Sequence, residues 1–118
     1  MIALVQRAHH AHVDVDGETV GQIARGVLIL LGVRDGDSET EALWLAKKVA
    51  KLRLFPDPAA PDQRPSHASL LEIGGEALVV SQFTLYADTH KGNRPSYVHA
   101  ARPEHAEPLY RVFCDALS

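Results

Sequence analysis

The sequence predicts an α/β fold, a sheet of apolar strands with helices packed against it. Three observations carry this. Residues 27–33 form a continuous apolar run that ends at glycine and valine, and residues 78–80 form a second. Such runs are the mark of strands covered on both faces. An amphipathic helix pattern starts at Ser38, and another follows Pro103. At 118 residues the chain is expected to be one domain.

Taken in order, residues 2–7 are an apolar run that closes on Gln6 and Arg7, and they read as the first strand. The strand continues irregularly through His9, His10 and His12. Asp16-Gly17 is a hairpin turn signal between the alternating Val13 and Val15 and a second short strand holding Val20 and Ile23. Arg25-Gly26 makes a further turn, and residues 27–33 then form the most buried strand of this half. After a loop at 34–37, Ser38 and Glu41 stand three residues apart, the spacing of a capping box. Ala42, Leu45, Val49 and Leu52 give the helix an inward stripe, with Lys47, Lys48 and Lys51 outside. The helix should stop near Phe55, because Pro56 disfavours helical geometry in the residue before it.

Residues 56–68 hold four of the seven prolines and are expected to form a mobile loop. Residues 69–73 and the run from Glu76 are expected as two strands joined by a Gly74-Gly75 hairpin. Residues 88–96 form a polar loop with Lys91, Gly92, Asn93, Arg94 and Pro95, and Tyr97-Val98 suits a short strand. Pro103 fits the first turn of a last helix with Ala106, Tyr110, Phe113 and Leu117 on its apolar face. Pro108 is awkward inside that helix, which places the start of the helix proper at Pro108.

Composition narrows the function. The net charge of −3 means that a nucleic-acid partner is held by a local patch rather than by the whole field. No stretch approaches the roughly 20 apolar residues of a membrane span, and residues 1–7 lack the cationic lead of a signal peptide. The single cysteine, Cys114, forms no intramolecular disulfide and suits a reducing, cytoplasmic compartment.

The stretch Ser81-Gln82-Phe83-Thr84-Leu85 puts three uncharged polar residues at the end of an apolar strand. Polar groups there need partners, since an unpaired buried one costs about 1–3 kcal/mol. Ser81 and Thr84 are candidate nucleophiles, but no Gly-x-Ser-x-Gly elbow surrounds Ser81, and hydroxyls that satisfy the strand end are the plainer reading. Backbone N–H groups of Gln82 and Phe83 are a second source of chemistry, facing a developing oxyanion. His9, His10 and His12 lack the cysteine partners or helical spacing of a metal site and read as solvated. Cys114 reads as a small buried hydrophobe. Lys91, Gly92, Asn93 and Arg94 form either a solvated turn or a phosphate cradle. Lys47, Lys48, Lys51 and Arg53 form a solvated face or touch a polyanion.

In one order the chain carries Met1-Ile2-Ala3-Leu4-Val5-Gln6-Arg7, Gly26-Val27-Leu28-Ile29-Leu30-Leu31-Gly32-Val33, Gly74-Gly75, Ser81-Gln82-Phe83-Thr84-Leu85 and Gly92-Asn93-Arg94-Pro95-Ser96-Tyr97. Together these resemble the D-aminoacyl-tRNA deacylase family, also called D-tyrosyl-tRNA deacylase. The resemblance implies a cytoplasmic homodimer built on a curved, barrel-like sheet with flanking helices. It implies hydrolysis of the ester between a D-amino acid, or glycine, and the 3′-terminal adenosine of tRNA. No metal or other cofactor is implied, and the partners are the aminoacyl-tRNA 3′ end and a second copy, not DNA or a membrane. By the same resemblance Ser81, Gln82, Phe83 and Thr84 line the catalytic pocket, and Arg7, Lys91 and Arg94 bind substrate. The tRNA's own 2′-hydroxyl activates water, and L-amino acids are excluded sterically, so no protein triad is needed.

Two departures qualify the resemblance. The family's second signature contains a Gly-Pro that reaches into the partner's pocket and reads chirality. Here the seven prolines follow Phe55, Asp57, Ala60, Arg64, Arg94, Arg102 and Glu107, never glycine. The expectation is that this segment is truncated or lost, and that the 118-residue chain is weakly active or lacks D preference. The loop at 56–68 also lacks the Lys-Met-Asn run usual nearby. The alternatives are a catalytically impaired module that binds a tRNA end or a protein, and a serine or threonine esterase.

Overall fold

The structure is a computed structural model that describes residues 1–57, 59 and 68–118. It is a mixed α/β architecture with two sheets and flanking helices. The elements are β1 (Ile2–Ala8), β2 (Ala11–Val15), β3 (Glu18–Ile23), β4 (Gly26–Gly32), α1 (Glu39–Lys51), α2 (Leu70–Ile73), β5 (Glu76–Ser81), a 3-10 turn (Phe83–Tyr86) and α3 (Pro103–Leu117). One sheet has the order β1-β4-β5, and β2 and β3 form the other. The residues group into two compact units, one of Met1–Leu4, Leu30–Lys47 and Val79–Ser118, the other of Val5–Ile29 and Lys48–Leu78. The boundaries fall inside β1, β4, α1 and β5.

In the second unit, β2 and β3 pair antiparallel through the expected turn. Asp16 and Gly17 both take positive φ, 51° and 81°, the requirement of a tight hairpin turn matched to strand twist. Val27 and Ile29 of β4 are fully buried, as a continuous apolar run requires. Phe55 and Ala68 exchange backbone bonds of 2.9 Å each way. The proline-rich loop expected over 56–68 lies outside the described residues at 58 and 60–67.

Residues 69–73 are not a strand, and Gly74-Gly75 is not a hairpin. Ser69 caps the short helix α2: its side chain accepts from Glu72 N–H at 3.2 Å, and Glu72 Oε1 accepts from Ser69 N–H at 3.2 Å. Gly74, at φ 63° and ψ 32°, is the left-handed residue that ends α2. The Ser-x-x-Glu spacing overrides the strand-like run of Leu70, Leu71 and Ile73. Ser69 is buried, so Ser69→Ala is expected to destabilise the protein by about 1 kcal/mol. Urea unfolding would read this as a lower midpoint at unchanged slope.

In the first unit, Leu31 and Val33 are buried, and Ala42, Ala46 and Phe113 bury the inner faces of α1 and α3. Val33, Ala101 and Leu109 form one cluster, with Met1 and Ala106 packed on it. At the start of α1, Ser38 N–H donates to Glu41 Oε2 at 2.7 Å and Ser38 Oγ donates to the same oxygen. Only half of the expected capping box therefore forms. The paired Ser38 donors hold the Glu41 carboxyl below its usual range. Tyr97 and Val98 are not a strand; Ala100 N–H closes a turn onto Tyr97 O at 3.1 Å. α3 starts at Pro103, not Pro108. Pro108 is exposed, as is Glu104, so the carbonyl that Pro108 leaves without a donor faces the open side of the helix.

Candidate active site

The candidate site grows from the end of β5. This strand was expected to be covered on both faces, but it lies at an edge of its sheet and is only half-buried. Its last residue, Ser81, is exposed, and the chain turns at once into the 3-10 turn. Gln82 N–H donates to Leu31 O of β4 at 2.8 Å, which ties the turn to the buried strand. Gly32 makes the close approach possible. A Cβ there would stand 3.1 Å from Leu85 Cβ and 3.3 Å from Gln82 O.

The polar residues of this stretch divide into two kinds. Gln82 Nε2 donates to Thr84 Oγ1, so these two side chains satisfy each other. Ser81 and Phe83 instead face outward and line a cavity of about 850 Å³ with Tyr97, Arg102, Tyr110 and Arg111. Phe83 is 56% exposed and meets the Tyr97 ring edge-on, with centroids 5.1 Å apart and planes at 72°. The Tyr110 hydroxyl donates to Val79 O at 2.7 Å, fixing α3 against the strand end.

The electrostatics argue against a protein nucleophile. Among the described residues, the recorded histidine contacts go to Asp14, Asp88 and Asp37 O, and none goes to Ser81 or Thr84. Burial pushes the Cys114 thiol up, against the opposing effect of its hydrogen bond to Tyr110, so the thiolate is disfavoured. Burial also raises the Tyr110 hydroxyl, which keeps it a donor. Backbone donors are better placed. Gln82 N–H, expected to face an oxyanion, is already bonded to Leu31. The N–H groups of Phe83 and Thr84 open the 3-10 turn and have no acceptor among the described residues.

The other expected site residues are placed elsewhere. Lys91 and Arg94 are exposed on loop 88–96 and do not line the large cavity. Arg7 belongs to the second unit, where its Nη1 donates to Leu54 O at 2.9 Å and it lines a smaller cavity with Arg25 and Phe55. His9, His10 and His12 are exposed. Tyr97, Tyr110, Arg102 and Arg111 had not been foreseen as site residues. Tyr110 stood on the apolar face of α3 and Tyr97 beside the Pro95-Ser96 pair, but nothing local in sequence brings them to Phe83.

Loop 88–96 is closed by backbone bonds between Asp88 and Ser96 of 2.6 and 2.8 Å. His90 N–H donates to Asp88 Oδ1 at 3.0 Å and, together with the His90 ring, holds the Asp88 carboxyl below its usual range. A depressed carboxyl contributes order above its unfolded-state titration and loses it as pH falls through the folded-state value. Asp88→Asn is therefore expected to speed amide exchange at His90 near neutral pH, relative to wild type. That difference should vanish in acid, once the wild-type carboxyl is protonated.

Residues 4–118 match the family described as D-Tyr-tRNA(Tyr) deacylase. The D-aminoacyl-tRNA deacylase of Roseiflexus castenholzii is 56% identical over 117 residues, spanning 99% of this chain and 72% of that protein. Among solved structures, a c-Myc DNA unwinding element binding protein superposes with a TM-score of 0.88 at 36% identity, over 98% of this chain and 74% of the other. A probable eukaryotic D-amino acid tRNA deacylase superposes with a TM-score of 0.79 at 20% identity, over 98% of this chain and 65% of the other, and shares the fold.

Proposed function

The chain belongs to the D-Tyr-tRNA(Tyr) deacylase family, and on that premise we propose that it is an editing hydrolase of D-aminoacyl-tRNA. It cleaves the ester between a D-amino acid, or glycine, and the terminal ribose, releasing the free amino acid and tRNA. Ser81 and Phe83 wall the pocket. Gln82 and Thr84 brace each other and so fix the turn. Water attacks the ester carbonyl, assisted by the 2′-hydroxyl of the ribose, and the 3′-oxygen leaves with a proton. The Phe83 and Thr84 N–H groups receive the charge that develops on the carbonyl oxygen. Arg7, Lys91 and Arg94 contact the polyanionic part of the substrate.

The observation that carries this reading is a turn that opens with two unclaimed N–H groups and whose first residue, Phe83, lines an apolar cavity at the end of β5. Such a site positions an ester and stabilises an oxyanion without a nucleophilic side chain. On the same reading the protein acts in the cytoplasm as one cooperative domain and as a homodimer whose sheets curve toward a barrel. Exposed Ile2, Leu4, Leu43 and Trp44 support self-association. Among the described residues no helix is long and apolar enough to cross a membrane.

The test is single-turnover release of D-tyrosine from D-tyrosyl-tRNA at enzyme excess, with normal or 2′-deoxy terminal adenosine. Release should be measurable, and at least about 100-fold slower on the deoxy substrate, roughly the loss of one well-placed catalytic group. Equal rates would refute the substrate-assisted mechanism, and labelling of Ser81 by a fluorophosphonate would favour a serine esterase. Tight tRNA binding with no release would favour the binding module.

A further inference from the structure

We infer that the polar cavity at the far end of the 3-10 turn, lined by Arg34, His90 and His99, holds a backbone phosphate of the RNA whose terminus occupies the apolar cavity. This rests on the reading of the protein as a tRNA-end hydrolase. The cavity has a volume of about 560 Å³, and its wall also includes Leu85, Tyr86 and Asp88. Both cavities lie within the first unit and are joined by one turn. Phe83 opens that turn beside the apolar cavity, and Tyr86 closes it beside the polar one. Three residues of 3-10 rise separate them by on the order of 6 Å. A single nucleotide spans that length, so an aminoacyl-adenosine in one cavity brings its 5′-phosphate to the other.

Several of the lining side chains are donors. Among the described residues the Arg34 guanidinium has no carboxylate partner. The segment carrying His99 is pinned by Asp35 N–H donating to His99 O at 2.9 Å and by the bridge between Arg34 and Ala100. Among the described residues Asp88 is the one carboxylate in the wall. Its Oδ1 accepts from His90 N–H and lies 3.2 Å from His90 Nδ1, so it aims that ring and offsets one cation. Burial, followed by the Asp37 charge, raises the Tyr86 hydroxyl, which remains a donor at neutral pH. A guanidinium fork, two imidazoles and a hydroxyl suit a phosphate oxygen. Among the described residues no three His, Cys, Asp or Glu side chains are placed to hold a metal ion. Lys91 and Arg94, exposed on the loop that carries Asp88 and His90, add to the field without lining the cavity.

Binding of the RNA trinucleotide CCA, of adenosine and of inorganic phosphate separates the possibilities. It would be measured on wild type, on Arg34→Gln/His99→Gln, and on Lys47→Gln/Lys48→Gln as a control that removes exposed positive charge outside the cavity. Arg34, His99, Lys47 and Lys48 are all exposed, so equal thermal midpoints are expected across the set. The Arg34/His99 pair should weaken trinucleotide binding roughly tenfold and make its salt dependence shallower by about one unit of slope. Adenosine affinity should not change, and the lysine control should match wild type. Equal losses in both double variants, or an unchanged salt slope in the first, would overturn the site. So would inorganic phosphate binding as tightly as the trinucleotide, which would make it a free-phosphate site. These readouts do not depend on turnover. A protein that binds CCA through Arg34 and His99 but releases no D-tyrosine refutes the hydrolase reading and leaves the site standing. A protein that hydrolyses D-tyrosyl-tRNA with an unaltered salt slope does the reverse.

Discussion

Gly26→Ala is expected to remove much of the stability of the native state. An added Cβ at Gly26 would sit 1.7 Å from Glu76 O and 2.7 Å from both Glu76 C and Glu76 N. All three are backbone atoms of β5, so no side chain can swing aside. The strand also cannot back away cheaply. Glu76 N–H donates to Arg25 O at 3.0 Å, and Glu76 Oε1 accepts from Ala24 N–H at 2.9 Å. Overpacking of about 1–3 kcal/mol adds to the loss of two hydrogen bonds at about 1 kcal/mol each. The sum, about 3–5 kcal/mol, approaches the lower end of the 5–15 kcal/mol that stabilises a typical domain. Urea unfolding of soluble variant protein is the check. An unfolding free energy within about 1 kcal/mol of wild type would show that β4 and β5 do not meet as described.

Phe83→Ala should have the opposite profile, with activity lost and stability kept. Phe83 is more than half exposed and its recorded aromatic contact is the edge-on packing with Tyr97. An aromatic pair of this kind contributes about 0.5–1.5 kcal/mol beyond burial, so the thermal midpoint should fall by only a few degrees. The cavity, however, loses one of the three aromatic side chains that line it. If that wall positions the aminoacyl ester, kcat/KM on D-aminoacyl-tRNA should fall about 100-fold, some 2.7 kcal/mol of transition-state stabilisation. Conservative Phe83→Tyr should retain most of the rate. Loss of rate in step with unfolding, or no loss at all, would remove Phe83 from the site.

Much of this fold can be read from local signals. The Asp16-Gly17 turn, the continuous apolar run of β4 and the amphipathic spacing of α1 each state their geometry within a few residues. The misreadings arise where two local signals compete. Residues 69–76 combine strand-forming aliphatics with a glycine pair, which suggests a hairpin, but Ser69 and Glu72 also stand at capping-box spacing, and the cap prevailed. At Ser38 and Glu41 the same spacing produced only half a box. Pro108 argues against an earlier start of α3, yet on the exposed side of the helix it displaces a single backbone bond. β5 was read as covered because an apolar run does not distinguish an interior strand from one at an edge. The candidate site was legible in part. The stretch 81–85 stood out because uncharged polar residues at a strand end need partners. Which of them found partners in the fold was not legible: Gln82 and Thr84 satisfy each other, while Ser81 and Phe83 turn outward. Tyr97, Tyr110, Arg34 and His99 join the two cavities through contacts distant in sequence, and no periodicity announces them.

The most direct test of the central claim is the ratio of kcat/KM for D-tyrosyl-tRNA to that for L-tyrosyl-tRNA. It would be measured on the protein with the same tRNA carrying either enantiomer. The account predicts release of D-tyrosine with L-tyrosyl-tRNA spared. No release of D-tyrosine, or release of both enantiomers at equal rates, would contradict it.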